Sequence, residues 1–594
     1  MTVTWKKSRF ERNLAASKTL DTQRPLLHEK NPHMKSLPTV SIQTSLLYIL
    51  LMALAAAPVW AQSTTEEEEI GPRLPIGMFT VRSLDQSLTN IGTVFEAAGR
   101  DDMTDMINTF LQDRAGNLEG IDRTRPFGVM FFLDDSLPPQ PTPVAYIPVE
   151  DLKAFERTAA LGPLKPEKVE GSEDRYKLGG GRRGMSMLIE HDYAFATPNE
   201  YILDNGMPDP LDFVSGFAAR YDASLSVQLR NVSPLIRDVF IATLQSSAQA
   251  ELQQKDEESA AAHKIRKANG QSMLELITQI LRDGEQVTLG LEAHPEEQMA
   301  ALELSVDAKP ASEFAKFMQN LGGAKSSFEG LHSELHPLTL SVSWMMDRRE
   351  KEMANGMIEG AEIGLTERLP EEVTSSIKRL GDSLRATVEQ GHVNGILQFV
   401  PLEDRKFVLI GGLKLVGSNA FGTALRDVFS VLNELEGIDS VDLDAHEHQN
   451  VVLHRLMGSD TDREQQRIYG GDPSVYLGSG NGVFWFGLGG DAVVDELDFA
   501  IDQYLASSAT SGSSTTAPFQ LVFRMLPWMD LPERENADPL QRELASEAMS
   551  DGGDAVRVEV RPNENGLRVR MQFEKGFVRL LGLVISTQFD ASQL

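Results

Sequence analysis

The chain has 594 residues and no cysteine. Disulfide staples and thiolate metal sites are excluded, so apolar packing must hold the fold, and this length supplies two or three cores. Basic residues are few beside acidic ones: 56 Lys and Arg stand against 87 Asp and Glu, a formal charge of −31. Such a surface repels nucleic acid and anionic lipid headgroups, so no nucleic acid is expected as a partner. It suits divalent cations, a basic partner, high-salt surroundings or plain solvation, the last being the reading preferred. Catalytic signatures are missing as well. No Gly-x-Ser-x-Gly and no His-Glu-x-x-His occurs, and no Ser-x-x-Lys stands in a setting that would make it catalytic. In so acidic a chain a pair of carboxylates carries no information about glycoside chemistry.

Signal-like apolar sequence is concentrated at residues 46–54. Val59-Trp60-Ala61 follows with small residues at the two positions that signal peptidase reads. Pro58 and the acidic stretch 66–69 leave the run too short to span about 30 Å of hydrocarbon. Residues 1–61 therefore read as an amino-terminal extension and cleaved signal peptide, with no stable membrane span afterwards. Because residues 1–33 are basic and long for a signal, Met34 also fits as the translation start. Residues 62–76 are polar and acidic and read as a disordered linker. The expected location is periplasmic or secreted.

What the chain does contain is a recurring strand, strand, helix pattern. Val287, Leu289 and Leu291 alternate with polar or small residues, His294 to Glu297 form a turn, and Ala300, Leu302, Leu304 and Val306 alternate again. This spacing predicts a hairpin with one buried face. After Pro310, Phe314, Phe317, Met318 and Leu321 fall at helical spacing. The same order returns with Val556, Val558 and Val560, then Val569, Met571 and Phe573; Val287 and Val556 are 269 residues apart, as are Leu304 and Phe573. Further hairpins are predicted at 129–149, 185–196, 396–413 and 475–486, the last across Asn481-Gly482, a strong tight-turn pair. Residues 234–280 read as one long helical region, solvated in the middle. Together these predict an α+β fold of two tandem similar domains, 77–330 and 331–594, with mainly antiparallel sheets and helices packed on one face.

Candidate chemistry is sparse. Asp444, His446 and His448, with His454 nearby, could ligate a metal, because His446 and His448 are two apart and would project together from a strand. A closed site needs three or four convergent ligands, and a polar edge strand has the same pattern, so the strand is the preferred reading and no cofactor is expected. Residues 179–184, Gly-Gly-Gly-Arg-Arg-Gly, would suit an anion but lack the strand-to-helix setting with Lys-Ser/Thr. They read as a flexible loop. Trp485 and Phe486 point to opposite faces of one hairpin, so either could line a ligand groove, as could Trp528 after Pro527; core packing is the default for each.

In the order of its elements, its signal segment, its acidity and its lack of cysteine, the chain resembles a loose group of uncharacterised exported bacterial proteins built from repeated strand-strand-helix units. That resemblance implies export and brings no catalytic residue. The function expected is a non-enzymatic envelope or periplasmic protein, binding or scaffolding an unknown ligand or envelope component in a groove between similar domains. Two alternatives stand beside it: a carrier of apolar ligands in an enclosed cavity, and a hydrolase of unfamiliar type, which would need a pocket of convergent, perturbed polar groups.

Overall fold

The computed structural model describes residues 73–594, apart from positions 115, 135–138, 162–164, 180–183, 324, 404–405, 436, 460–462, 510–516, 532–538 and 594. The signal segment, residues 62–72 of the acidic linker and the core of the glycine-arginine loop lie outside the described residues.

The first half runs β1 (Gly77–Val81), α1 (Leu84–Ala97), α2 (Asp101–Arg114), β2 (Phe127–Leu133), β3 (Pro141–Pro148), α3 (Leu152–Leu161), β4 (Pro166–Lys168), β5 (Arg175–Leu178), β6 (Met185–Glu190) and β7 (Tyr193–Thr197). It continues with α4 (Leu211–Arg220), β8 (Ala223–Val227), α5 (Pro234–Glu251), α6 (Ala260–Asp283), β9 (Gly284–His294), β10 (Met299–Ala308) and α7 (Glu313–Leu321). The second half runs β11 (Leu338–Met345), α8 (Arg348–Thr366), α9 (Thr374–Gln390), β12 (His392–Pro401), β13 (Phe407–Lys414), α10 (Ser418–Phe429), β14 (Ile438–His448), β15 (Val451–Gly458) and α11 (Arg463–Tyr469). It ends with β16 (Ser474–Gly480), β17 (Val483–Gly489), α12 (Val493–Ala509), β18 (Phe519–Arg524), α13 (Leu526–Met529), α14 (Pro539–Met549), β19 (Ala555–Pro562), β20 (Gly566–Phe573) and α15 (Lys575–Gln593).

Local chemistry accounts for many of these boundaries. Asn481 and Gly482 both take positive φ between β16 and β17, as a tight hairpin turn requires. Ser312 caps α7 by accepting from the Ala315 N–H, so Pro310 stands just before the cap instead of in the first turn. The long helix expected over 234–280 is two helices: α5 stops at Glu251, and Ser259 caps α6 by accepting from the Ala262 N–H. Arg266 fastens the intervening turn through Glu258 Oε1, 2.7 Å away, and through the carbonyls of Glu251 and Gln253.

All strands join one antiparallel sheet in the order β4-β5-β6-β7-β3-β2-β1-β8-β9-β10-β20-β19-β18-β11-β12-β13-β17-β16-β15-β14. Numbered within its own half, each set of strands has the same order, and the two tenth strands meet. Leu302 of β10 lies opposite Met571 of β20, the residue 269 positions on. The sheet thus runs unbroken across the boundary expected at 330/331.

Helices lie on both faces. On one, α4 packs in the first half against Met78, Met130 and Tyr146, and α12 packs in the second against Ile410, Leu453 and Trp485. On the other, α3 and α10 cover the two ends, where Phe155 and Phe421 sit in their own clusters, and α7 covers Val287, Val306 and Leu567.

Between α4 and α12 the sheet face is polar, and on β8, β9 and β10 it is largely buried. Ser224, Ser226, Thr288 and Ser305 are small enough to be shielded by their neighbours, and Glu303 is 2% exposed. Its carboxylate accepts from Arg220 Nη2 at 2.6 Å, Tyr221 OH at 2.8 Å and Arg570 Nη1 at 3.4 Å. Arg570 also pairs with Glu292 at 2.7 Å. Burial acts against ionisation of Glu292, but Arg570 and Arg220 hold it below the usual carboxylate range. Burial, with the Glu303 carboxylate beside it, pushes the Tyr221 phenol up. Because Arg570 belongs to β20 and Glu303 to β10, this lattice crosses the seam between the halves. Replacing Glu303 with Ala removes the carboxylate shared by Arg220 and Arg570 and leaves them only Glu292, and the expected loss is roughly 2–4 kcal/mol, less than for a fully buried pair because the arginines keep partial contact with water. Denaturant unfolding measures it, and a loss near zero would contradict a structural role for the lattice.

Candidate functional site

The hairpin alternation at β9 and β10 is as the sequence predicts, but the middle of its apolar face is left open. Two apolar rows cross the centre of the sheet. One runs Phe79, Leu225, Leu289, Leu304, Val569, Val560. The next runs Leu291, Leu302, Met571, Val558, Leu521, Leu340. Phe79, Leu291 and Leu304 are 42%, 44% and 40% exposed, and the others are half-buried. This overturns the expectation that the apolar face of the hairpin is the buried one. On β8, β9 and β10 the opposite face is closed because its polar groups are short or satisfied by the lattice around Glu303.

Two helices border the open strip. On one side Phe314, Met318 and Leu321 of α7 pack onto Val287, Val306 and Leu567. On the other, Phe577 of α15 packs edge-on against Phe573, with ring centres 6.0 Å apart. Between them lies an apolar trough across β1, β8, β9, β10, β20, β19, β18 and β11. Leaving a leucine half exposed forgoes about 1 kcal/mol of burial. Contiguous exposure of this kind is the usual mark of a ligand or partner surface.

The aromatic candidates divide as follows. Trp485 is core: it is 1% exposed and meets Phe328 and Tyr504 edge-on at 6.0 and 5.7 Å. Phe486, on the opposite face, is half-buried, beside Phe484 and above Gly411, where a Cβ would collide with its ring. Trp528 is also half-buried; it stacks on Phe523, meets Phe399 and Phe407 at 5.1 Å, and donates its N–H to the Pro337 carbonyl at 3.3 Å. Phe486 and Trp528 thus lie on the same side of the sheet as the trough, beyond its open part.

The histidines of the edge strand β14 do project together, but onto α12. His446 Nε2 is 2.8 Å from Asp498 Oδ1, and His448 Nε2 is 2.9 Å from Asp502 Oδ1. His454 belongs to the other face, buried against Phe429 at 5.6 Å, with Nδ1 accepting from the Asp444 N–H at 3.1 Å. Asp444 sits at a bulge with φ +52° and pairs with Arg426 at 2.7 Å. The four candidate ligands are therefore split between two faces. Among the described residues no group of three or more acidic or histidine side chains is placed to hold a metal ion.

Two other features bear on catalysis. Ser343 Oγ and His392 Nε2 are 3.0 Å apart, a nucleophile beside a base, but Ser343 is buried and lines none of the clefts described here. A pocket of about 270 Å³ beside α12 is lined by His332, His336, Gln398 and Glu496. Gln398 Nε2 donates to His336 Nδ1 at 3.1 Å, whereas His332 Nδ1 has no partner. Burial lowers both imidazoles below their ordinary 6.5 and raises the Glu496 carboxyl. A histidine depressed in the folded state leaves stability whole above pH 6.5 and removes it as pH falls through the depressed value. Thermal midpoints are expected to drop between pH 7.5 and 5.5, and to drop by about 2–4 °C less in the His332→Asn/His336→Gln variant. Equal drops by calorimetry would show that these rings are not responsible.

Sequence reasoning missed the open strip because alternation identifies an apolar face without saying what covers it. It also missed α8, although Asp347 and Glu350 form a reciprocal capping box that is legible as Asp-x-x-Glu. No family model, curated protein or solved structure matches this chain.

Proposed function

We propose that this is an exported, non-enzymatic binding protein that carries an apolar ligand, such as an acyl chain, in the trough where two duplicated halves join. The single observation that carries the reading is the pair of aliphatic rows centred on Leu302 and Leu304, open to solvent at Leu291, Leu304 and Phe79. An aliphatic groove with helical borders offers contact area without directional hydrogen bonds, which suits a chain of methylenes at about 0.8 kcal/mol per buried CH₂. The occupied site would be a trough, not an enclosed cavity.

Export is supported by the apolar run at 46–54 and the Val59-Trp60-Ala61 site. Among the described residues no helix is long and apolar enough to cross a membrane. Duplication, with domains at 77–330 and 331–594, is supported by the common strand order, by helices falling after matching strands, and by the 269-residue spacing that brings Leu302 opposite Met571.

The mature protein is expected to bind a fluorescent acyl probe saturably. In the Leu291→Glu/Leu304→Glu variant affinity should fall about tenfold or more, close to 1.4 kcal/mol. The thermal midpoint should move by only about 3 °C, since both side chains already meet water. Absence of binding, or equal affinity in the variant, would remove the basis for this reading.

A further inference from the structure

We infer that the cleft enclosed by α5, α6, α7 and the first turn of α8 is a separate binding site for a neutral, many-hydroxyl ligand of the oligosaccharide class. The inference does not rest on the apolar trough. The cleft holds about 1360 Å³, beyond the 300–1,000 Å³ or so that serves one compact small molecule. It forms where α5, α6 and α7 of the first half face the β11–α8 turn of the second.

Its lining is rich in amides. Gln245, Gln249, Gln271, Gln279 and Asn320 each present a donor and an acceptor in one plane, the geometry that matches adjacent hydroxyls on a ring. Phe317 stands among them, with Leu274 and Met345, as an apolar surface for the C–H face of a sugar. Four of the seven charged groups are paired with one another, Arg348 with Glu275 at 3.4 Å and Arg349 Nη2 with Asp347 at 3.1 Å, and Arg282, Asp283 and Glu313 complete a lining of three basic and four acidic side chains. The cleft therefore selects neither an anion nor a cation by net charge, and the acidity of the chain opposes anions further.

A second, independent observation lies in the floor. Arg349 and Thr278 are each 7% exposed, yet Arg349 Nε and Thr278 Oγ1 have no hydrogen-bond partner, and Arg349 Nη1 is only within 3.5 Å of Gln279 Oε1. The Arg349 guanidinium is held over the Phe317 ring at 5.8 Å. Buried polar groups without partners are unfavourable, and hydroxyls inserted into this floor would satisfy them. An apolar guest would not.

Isothermal titration of the full mature protein with neutral hexasaccharides of glucose, mannose and N-acetylglucosamine tests the assignment. Saturable binding to at least one is expected, weakened about tenfold or more in Gln279→Ala and in Phe317→Ala. Gln245→Ala, at the exposed rim, serves as the variant that cannot fail by misfolding and should weaken binding about threefold. Silence toward all three sugars, binding undiminished in Gln245→Ala and Gln279→Ala, or tighter binding of a uronic-acid oligosaccharide than of its neutral counterpart would each overturn the proposal. The Leu291→Glu/Leu304→Glu variant should bind the hexasaccharide as the parent does, so failure of the trough reading and of this one are distinguishable.

Discussion

The seam between β10 and β20 is the constraint on which the rest depends. Eight residue pairs from Ala300–Phe573 to Asp307–Gly566 join the halves backbone to backbone, and the Glu303 carboxylate, out of water beneath Arg220, Tyr221 and Arg570, ties them side chain to side chain. A buried carboxylate is tolerable only with such company. Its satisfaction closes the polar face of β8, β9 and β10, and because side chains alternate strictly across a pleat, the aliphatic partners must then occupy the other face. The open trough is thus the geometric complement of the charged lattice.

That arrangement inverts the usual division of a sheet. In most half-buried sheets the aliphatic face is sealed and the polar face meets water. Here α7 and α15 each cover one border row, and the two rows between them remain open. The ends of the sheet behave conventionally: α3 and α10 seal the apolar face there, and α4 and α12 bury Tyr146, Phe195 and Trp485 on the other. The buried clusters thus lie at the flanks, and the two middle rows stay open.

The hairpins, the Asn481-Gly482 turn and the stripe Phe314, Phe317, Met318, Leu321 were legible because each depends on neighbours a few residues away. So was the polar character of β14, an edge strand. The division of Pro234 to Asp283 into two helices was harder to read, since charged and small residues suit both a solvated helix and a turn; Ser259 as a cap and Arg266 closing on Glu258 decide it. The metal-like grouping failed for a comparable reason. Spacing gives the parity of His446 and His448, but the bulge at Asp444 and the opposite parity of His454 emerge only when the strand is paired.

Alternation and spacing in the sequence determined an α+β chain of antiparallel hairpins, held without covalent links, with the same pattern repeated 269 residues on. Those properties follow from local periodicity and composition, which every stretch of chain carries in itself. Only the tertiary structure decided that the halves share one sheet, that Glu303 rather than Leu304 is buried, and that Arg349 meets Gln279 and Phe317 in a cleft. Each of these depends on which distant surface arrives opposite a given face, and that is set by how the whole chain balances desolvation against pairing.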